Sequence, residues 1–214
     1  MQDSLEKLLG ERPPVTGCSR TDAGVHAEEF CCHFDCSEQF PETAFLKGLD
    51  SLLPDDISVK NCRTVENGFH ARYSAKGKTY KYYILNSSVS DPFLARYSWK
   101  IERRLDESAM DTFCGTLVGR HDFFAFSSSG RTVEDTVRTV TECRAERSGN
   151  LVTLTVTADG FLYNMVRIIV GTAVGVSDGR IGADAAGKIF ASKDRSLAGV
   201  TAPPQGLFLK KVIY

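Results

Sequence analysis

The run Ser19-Arg20-Thr21-Asp22-Ala23-Gly24-Val25-His26 gathers an acid, a base, two hydroxyls and a glycine into one short loop. Asp-x-Gly is ordinary turn chemistry, an aspartate that bonds nearby backbone and a glycine free to take positive φ. Arg20 adds a second possibility. Two residues from Asp22, its guanidinium can meet the carboxylate within the turn and keep it oriented and ionised. A held, ionised carboxylate is what a nucleophile or a general base requires.

Two other segments carry unusual side chains. From Phe69 to Tyr83, His70, Arg72, Lys76, Lys78 and Lys81 interleave with Tyr73, Tyr80, Tyr82 and Tyr83. Aromatics among bases make a platform for single-stranded RNA or an extruded base, where stacking is worth about 1–3 kcal/mol per base. The same composition also suits a solvated strand edge guarded by lysines. In Gly160–Gly171, Arg167 stands alone in an apolar helical run, with no acid at i±3 or i±4. Such a charge must snorkel or pair with a carboxylate distant in sequence, and Asp22 is the best candidate.

Two further motifs are weaker. Gly119–Phe126 reads as a helix end with an aromatic plug, and Thr201–Leu207 as the loop leading into the last strand. Cys31, Cys32, His33 and Cys36 could suggest a metal. Strand alternation puts Cys31 and His33 on one face and Cys32 and Cys36 on the other, so the residues argue against tetrahedral ligation and read as small core side chains.

The elements that must position these residues follow from periodicity. Helices are predicted at Asp3–Leu9 (with Asp3 and Glu6 as a capping box), Pro41–Leu53 (burying Phe45, Leu49 and Leu52), Asp106–Val118 (stopped by Gly119), Leu162–Val176 and Ala183–Ser192. Strands are predicted at Phe30–Cys36, Ile57–Val65, Lys78–Leu85, Tyr97–Ile101, Val133–Arg147, Leu151–Ala158 and Gly206–Tyr214. Val152, Leu154, Val156 and Ala158 form a period-2 stripe just after Ser148-Gly149-Asn150, the pattern of a hairpin. The second half contains the split βαββαβ unit, and the first reads as the same unit without its opening strand. The expected fold is therefore α+β, two ferredoxin-like halves at residues 1–68 and 69–214, with a central, mostly antiparallel sheet flanked by helices.

Composition narrows the function. The 214 residues hold 26 Lys+Arg and 27 Asp+Glu, so no global basic field draws in nucleic acid or an anionic membrane, and any RNA site must be a local basic one. Seven irregularly spaced cysteines, behind an N-terminus without an apolar signal core, fit a reduced, cytoplasmic compartment. The longest apolar run, Met165–Val176, is too short to span a bilayer.

Six segments, in order, resemble the tRNA pseudouridine synthase A family. They are Ser-Arg-Thr-Asp-Ala-Gly-Val-His-Ala at 19–27, Phe-His-Ala-Arg-Tyr-Ser-Ala at 69–75, Lys-Thr-Tyr-Lys-Tyr at 78–82, Gly-Arg-His-Asp-Phe at 119–123, Met-Val-Arg-Ile-Ile-Val-Gly at 165–171 and Thr-Ala-Pro-Pro-Gln-Gly-Leu at 201–207. The resemblance covers nearly the whole chain. It implies that Asp22 is the catalytic aspartate, Arg167 its paired arginine and Tyr80 the ring stacked on the target uracil. Leu207 would pack against the base and Arg20 would engage the RNA or the extruded nucleotide. The implied reaction breaks the N1–C1′ bond of a uridine, turns the base and rejoins it through C5, with no metal or organic cofactor.

The same resemblance implies a homodimer acting on uridines 38–40 in the anticodon stem-loop of tRNA. A basic cleft of Arg20, Arg72, Lys76, Lys78 and Arg167 between the halves would bind it, with Arg72 and Lys78 among the substrate contacts. Family members open with a strand bearing a Tyr-Asp-Gly-type segment, ahead of the helix with which this chain starts, so the first half is expected to lack one strand. The runner-up reading is a non-catalytic RNA-binding module, in which Tyr80 and Tyr82 stack bases and Asp22 only makes the turn.

Overall fold

The computed structural model of the chain describes residues 1–36, 41–130 and 133–214. They form two compact units, one of Met1–Arg20 with Phe30–Ala75 and one of Thr21–Glu29 with Lys76–Tyr214. The loop with Asp22 thus belongs to the larger unit, whereas the sequence placed it in the first half. The cause is a two-residue strand just after it, described below, which pairs with the last strand of the chain.

The first unit is built on two helices, α1 (Gln2–Leu9) and α2 (Glu42–Leu52), whose apolar stripes meet in a small core of Leu5, Phe45, Leu49 and Leu53. Leu53 takes the place expected for Leu52, which is exposed. Gly48 allows the close approach, since a Cβ there would lie 2.6 Å from Leu8 Cδ1. The Asp3/Glu6 capping box does not form. The helix starts one residue early at Gln2, with Met1 as N-cap, and both carboxylates turn to Arg12 instead, at 2.5 and 2.7 Å.

Strands in this unit are shorter than their patterns suggest. β1 (Thr16–Gly17) pairs antiparallel with β3 (Cys32–His33), and the predicted strand at Phe30–Cys36 is reduced to that pair. The predicted strand at Ile57–Val65 is absent. Ile57 N–H closes a turn onto the Pro54 carbonyl, Thr64 N–H bonds the Glu42 carboxylate, and Val59 and Cys62 lean on the helical core. A strand needs a neighbour to accept its ladder, and none of the described residues offers one here.

The larger unit is one mixed sheet. β2 (His26–Ala27), β9 (Leu207–Ile213), β4 (Gly77–Asn86), β8 (Leu151–Ala158), β7 (Val137–Ser148) and β6 (Gly119–Asp122) lie side by side in that order, and β5 (Trp99–Ile101) pairs with the end of β4. Only β2 on β9 and β5 on β4 run parallel. Tyr80, Tyr82 and Ile84 face the same way along β4, opposite Val156, Leu154 and Val152 of β8, as the alternation required. Between β7 and β8 the turn at Gly149 takes φ +58, which completes the expected hairpin.

Three helices complete this unit. α3 (Glu107–Gly115) packs on β7 and on α4 (Met165–Ser177), and α5 (Ala185–Ser192) follows. Asp106 caps α3 through the Ala109 N–H. The helix stops at Thr116, whose hydroxyl and N–H both turn back to the Phe113 carbonyl, so Gly119 opens β6 rather than ending a helix. Phe123 and Phe126 are buried beyond that strand with Phe190 of α5, making the aromatic plug.

Candidate active site

Arg167 lies in the first turn of α4, and its guanidinium leaves the apolar helix for a ring of oxygens. Nη1 donates to Asp22 Oδ2 at 2.7 Å and to Asn164 Oδ1 at 2.8 Å, and Nε donates to the Ala202 carbonyl at 2.7 Å. The arginine side chain is only 15% exposed, so its desolvation has to be offset, and three acceptors with one full counter-charge do that.

Asp22 is presented to this guanidinium by its own turn. Val25 N–H bonds the Asp22 carbonyl at 3.1 Å, and Gly24, third in the turn, takes the φ of +83° that a type II turn demands. The positive-φ glycine read from Asp-x-Gly is present, but the Asp22 carbonyl rather than its side chain closes the turn, and the carboxylate goes to the ion pair. Next, β2 fixes the turn to the sheet. His26 pairs with Phe208 on β9, stacks on its ring at 4.7 Å, and bonds the Arg96 carbonyl at 3.0 Å. Asp22 keeps 33% of its side chain exposed, and Oδ1 takes no hydrogen bond from a described residue. One carboxylate oxygen is held and the other is open.

The segment before β9 forms the third wall. Gly171 of α4 and Gly199 meet backbone to backbone, since a Cβ on Gly171 would lie 1.8 Å from the Val200 carbonyl oxygen and one on Gly199 would lie 2.4 Å from the Gly171 carbonyl. Gly199 N–H bonds the Thr172 hydroxyl at 2.9 Å, and Ala202 N–H bonds the Arg167 carbonyl at 3.1 Å. Arg167 and Ala202 thus hold each other through both backbone and side chain. Downstream, the Tyr82 hydroxyl donates to the Pro203 carbonyl at 2.7 Å. Burial pushes the Tyr82 phenol well up, against the opposing influence of Arg167, so it serves as a neutral donor. A 3-10 turn at Pro204–Gly206 then delivers Leu207 to the start of β9, opposite Tyr82 and nearly buried.

Tyr80 faces the same way as Tyr82 on β4, but it is 6% exposed and meets the Phe161 ring edge-on at 4.9 Å. Lys78 is half-buried on β4 and Lys76 is exposed just before it. Arg20 and Arg72 belong to the smaller unit. Arg20 is exposed, and Arg72 has a buried Nε without a hydrogen-bond partner among the described residues. The guanidinium on Asp22 is therefore that of Arg167, from a helix 145 residues away, rather than that of its near neighbour Arg20.

His33 and His70 of the smaller unit serve local structure. His33 Nδ1 accepts the Ala71 N–H at 3.1 Å, and His70 Nδ1 accepts those of Arg72 and Tyr73. Sequence reasoning did not single out Asn164, Tyr82 as an anchor, or the Ala202 and Pro203 carbonyls. Backbone acceptors leave no trace in residue types, and only the asparagine just before the apolar helix offered a signal.

Residues 114–214 match the sequence profile of a family described as tRNA pseudouridine synthase. A tRNA pseudouridine synthase A of Thermoanaerobacter sp. (strain X514) is 45% identical over 214 residues, all of this chain and 88% of that protein. Proteins of the same name from Ruminiclostridium cellulolyticum and Acetivibrio thermocellus are 43% and 42% identical, again over all of this chain and 88% and 89% of theirs. The chain belongs to the tRNA pseudouridine synthase A family. Every segment that carried the resemblance lies inside these full-length matches, and the mixed α+β architecture with helices on a central sheet is the one expected for such a synthase.

Proposed function

We propose that this protein isomerises uridine to pseudouridine in tRNA, with Asp22 as the catalytic carboxylate and Arg167 as the arginine that holds it. The observation that carries this reading is the half-engaged carboxylate, with Oδ2 fixed by Arg167 and a third of the side chain still exposed. A nucleotide that reaches it must leave the base stack, at a cost of a few kcal/mol that contacts in the pocket offset. Tyr80 and Leu207 would flank the base, and Arg20, Arg72 and Lys78 would engage the RNA. The glycosidic N1–C1′ bond breaks, the base turns, C5 bonds C1′, the proton on C5 is released and N1 takes one up, so the net change is an isomerisation.

The finer parts of the reading rest on family resemblance. They are the anticodon stem-loop with uridines 38–40 as the target, a homodimer as the working form, and the cytoplasm as the setting. Among the described residues no helix is long and apolar enough to cross a membrane.

The test is release of tritium from tRNA transcripts labelled at C5 of uridine, with carbodiimide mapping to locate the product. Release confined to the stem-loop is expected. Tight tRNA binding with no release would replace this reading with the RNA-binding module.

A further inference from the structure

The amide of Asn164 stands between Arg167 and a second polar side chain, and its backbone is unusual. Asn164 precedes α4 with φ +62°, and it and Lys193 are the only non-glycine residues with positive φ among those described. Asparagine tolerates that conformation better than most residues, but glycine tolerates it best. Its side chain makes no cap bond to the helix backbone. Instead Oδ1 accepts from Arg167 Nη1 at 2.8 Å, the nitrogen that also donates to Asp22, while Nδ2 donates to the Ser128 hydroxyl at 2.9 Å. Ser128 is fixed in turn by its N–H on the Tyr163 carbonyl.

We infer that Asn164 is a positioning residue for the Asp22–Arg167 pair, with Ser128 setting the orientation of its amide. The two hydrogens of Nη1 point in different directions, and occupying one with Asn164 Oδ1 directs the other at Asp22 Oδ2. Nε, held by Ala202, fixes the plane of the guanidinium, and Asn164 fixes its far corner. The left-handed backbone is what brings an amide from the residue before the helix round to a side chain in its first turn. Without this acceptor the fork can turn about its last bonds and leave Oδ2. Asn164 acts through Arg167 and makes no hydrogen bond to Asp22 among the described residues.

The kinetic part of the test rests on the pseudouridine synthase reading, and the spectroscopic part does not. Asn164→Gly keeps the positive φ and removes the amide, so the fold should persist. Its kcat on tRNA is expected to fall about 10- to 100-fold, the range for a lost hydrogen bond to a charged group, with KM nearly unchanged. Asn164→Asp retains an oxygen acceptor on a residue that tolerates the same backbone, and should recover most of that loss. In parallel, NMR of the Arg167 Nη hydrogens, resolved only when the guanidinium does not rotate, should show separate signals in the wild type that merge in Asn164→Gly. Wild-type kcat in Asn164→Gly, or unchanged Nη signals, would overturn the inference. A wild-type protein that releases no tritium would refute the functional reading, and the NMR comparison would still decide the role of Asn164.

Discussion

Asp22 and Arg167 stand 145 residues apart in the chain and are joined at 2.7 Å, one on a turn that runs into β2 and the other in the first turn of α4. The pair uses one oxygen of the carboxylate, and no described residue hydrogen-bonds the other. Asp22→Asn keeps the shape and the bond to Arg167 but removes the charge. Pseudouridine formation is expected to disappear while tRNA affinity changes less than threefold, since the charge lost is a negative one. Measurable turnover by Asp22→Asn, or a large loss of binding, would argue that Asp22 serves RNA docking instead.

Arg167→Leu leaves Asp22, Asn164 and Ala202 with unmet acceptors in place of one shared donor. A fully buried pair broken in this way costs about 3–5 kcal/mol. Asp22 is a third exposed and water can reach it, so the expected loss is smaller, about 1–3 kcal/mol. Urea unfolding would read it, and a midpoint equal to that of wild type would show that the pair contributes nothing to stability.

Gly171→Ala tests whether the segment ahead of β9 depends on backbone contact with α4. The added methyl would lie 1.8 Å from a carbonyl oxygen, and main chain on both sides cannot yield as a flexible side chain could. A loss of about 3 kcal/mol or more is expected, with soluble expression reduced. Gly187→Ala on α5, where nothing lies within 4 Å, is the control and should be neutral or slightly stabilising. Equal behaviour of the two variants would mean that the helix and the segment sit farther apart than described.

Much of this arrangement was legible in the sequence, for physical reasons that also mark its limit. A period-2 stripe placed β8, and a lone arginine in an apolar helix called for a distant carboxylate, which the structure supplies in Asp22. Local pattern could not show where β2 docks, because two residues carry no periodicity and the partner is the last strand of the chain. Ile57–Val65 failed in the opposite sense, a strand pattern for which none of the described residues accepts a ladder. Asn164 was hard to single out because the left-handed backbone that turns its amide to Arg167 has no periodic signature, and the Ala202 and Pro203 carbonyls because every residue has one.

Tyr82→Phe removes one hydroxyl, the donor to the Pro203 carbonyl. The ring stays buried in β4, so the packing is kept and the loss of stability should be about 1 kcal/mol. Its effect on the site should be larger than that figure suggests, because Pro203 belongs to the stretch that sets Leu207 at the start of β9. A severalfold fall in kcat with little change in tRNA affinity is expected from steady-state kinetics. Unchanged kcat would show that the glycine contact at Gly171 fixes the stretch without help from Tyr82.

The far end of α4 offers a test in pH. Asp178 follows the helix with 9% of its side chain exposed, and it takes two hydrogen bonds of 2.6 Å from Arg103 and two more from Arg180. The Arg103 guanidinium, helped by Arg180, holds its carboxyl below the ordinary value of 3.8 despite the burial. On acidification the unfolded chain therefore takes up this proton before the folded one does. The stability from Asp178 is present in full above the unfolded value and is lost as pH falls through the lower folded one. Asp178→Asn lacks that contribution at every pH. Its Tm should lie below that of wild type at about pH 7, and the gap should narrow between about pH 4 and pH 2 as the wild-type carboxylate is protonated. A gap that stays constant across that window would mean that the two arginines do not hold Asp178 in its charged form.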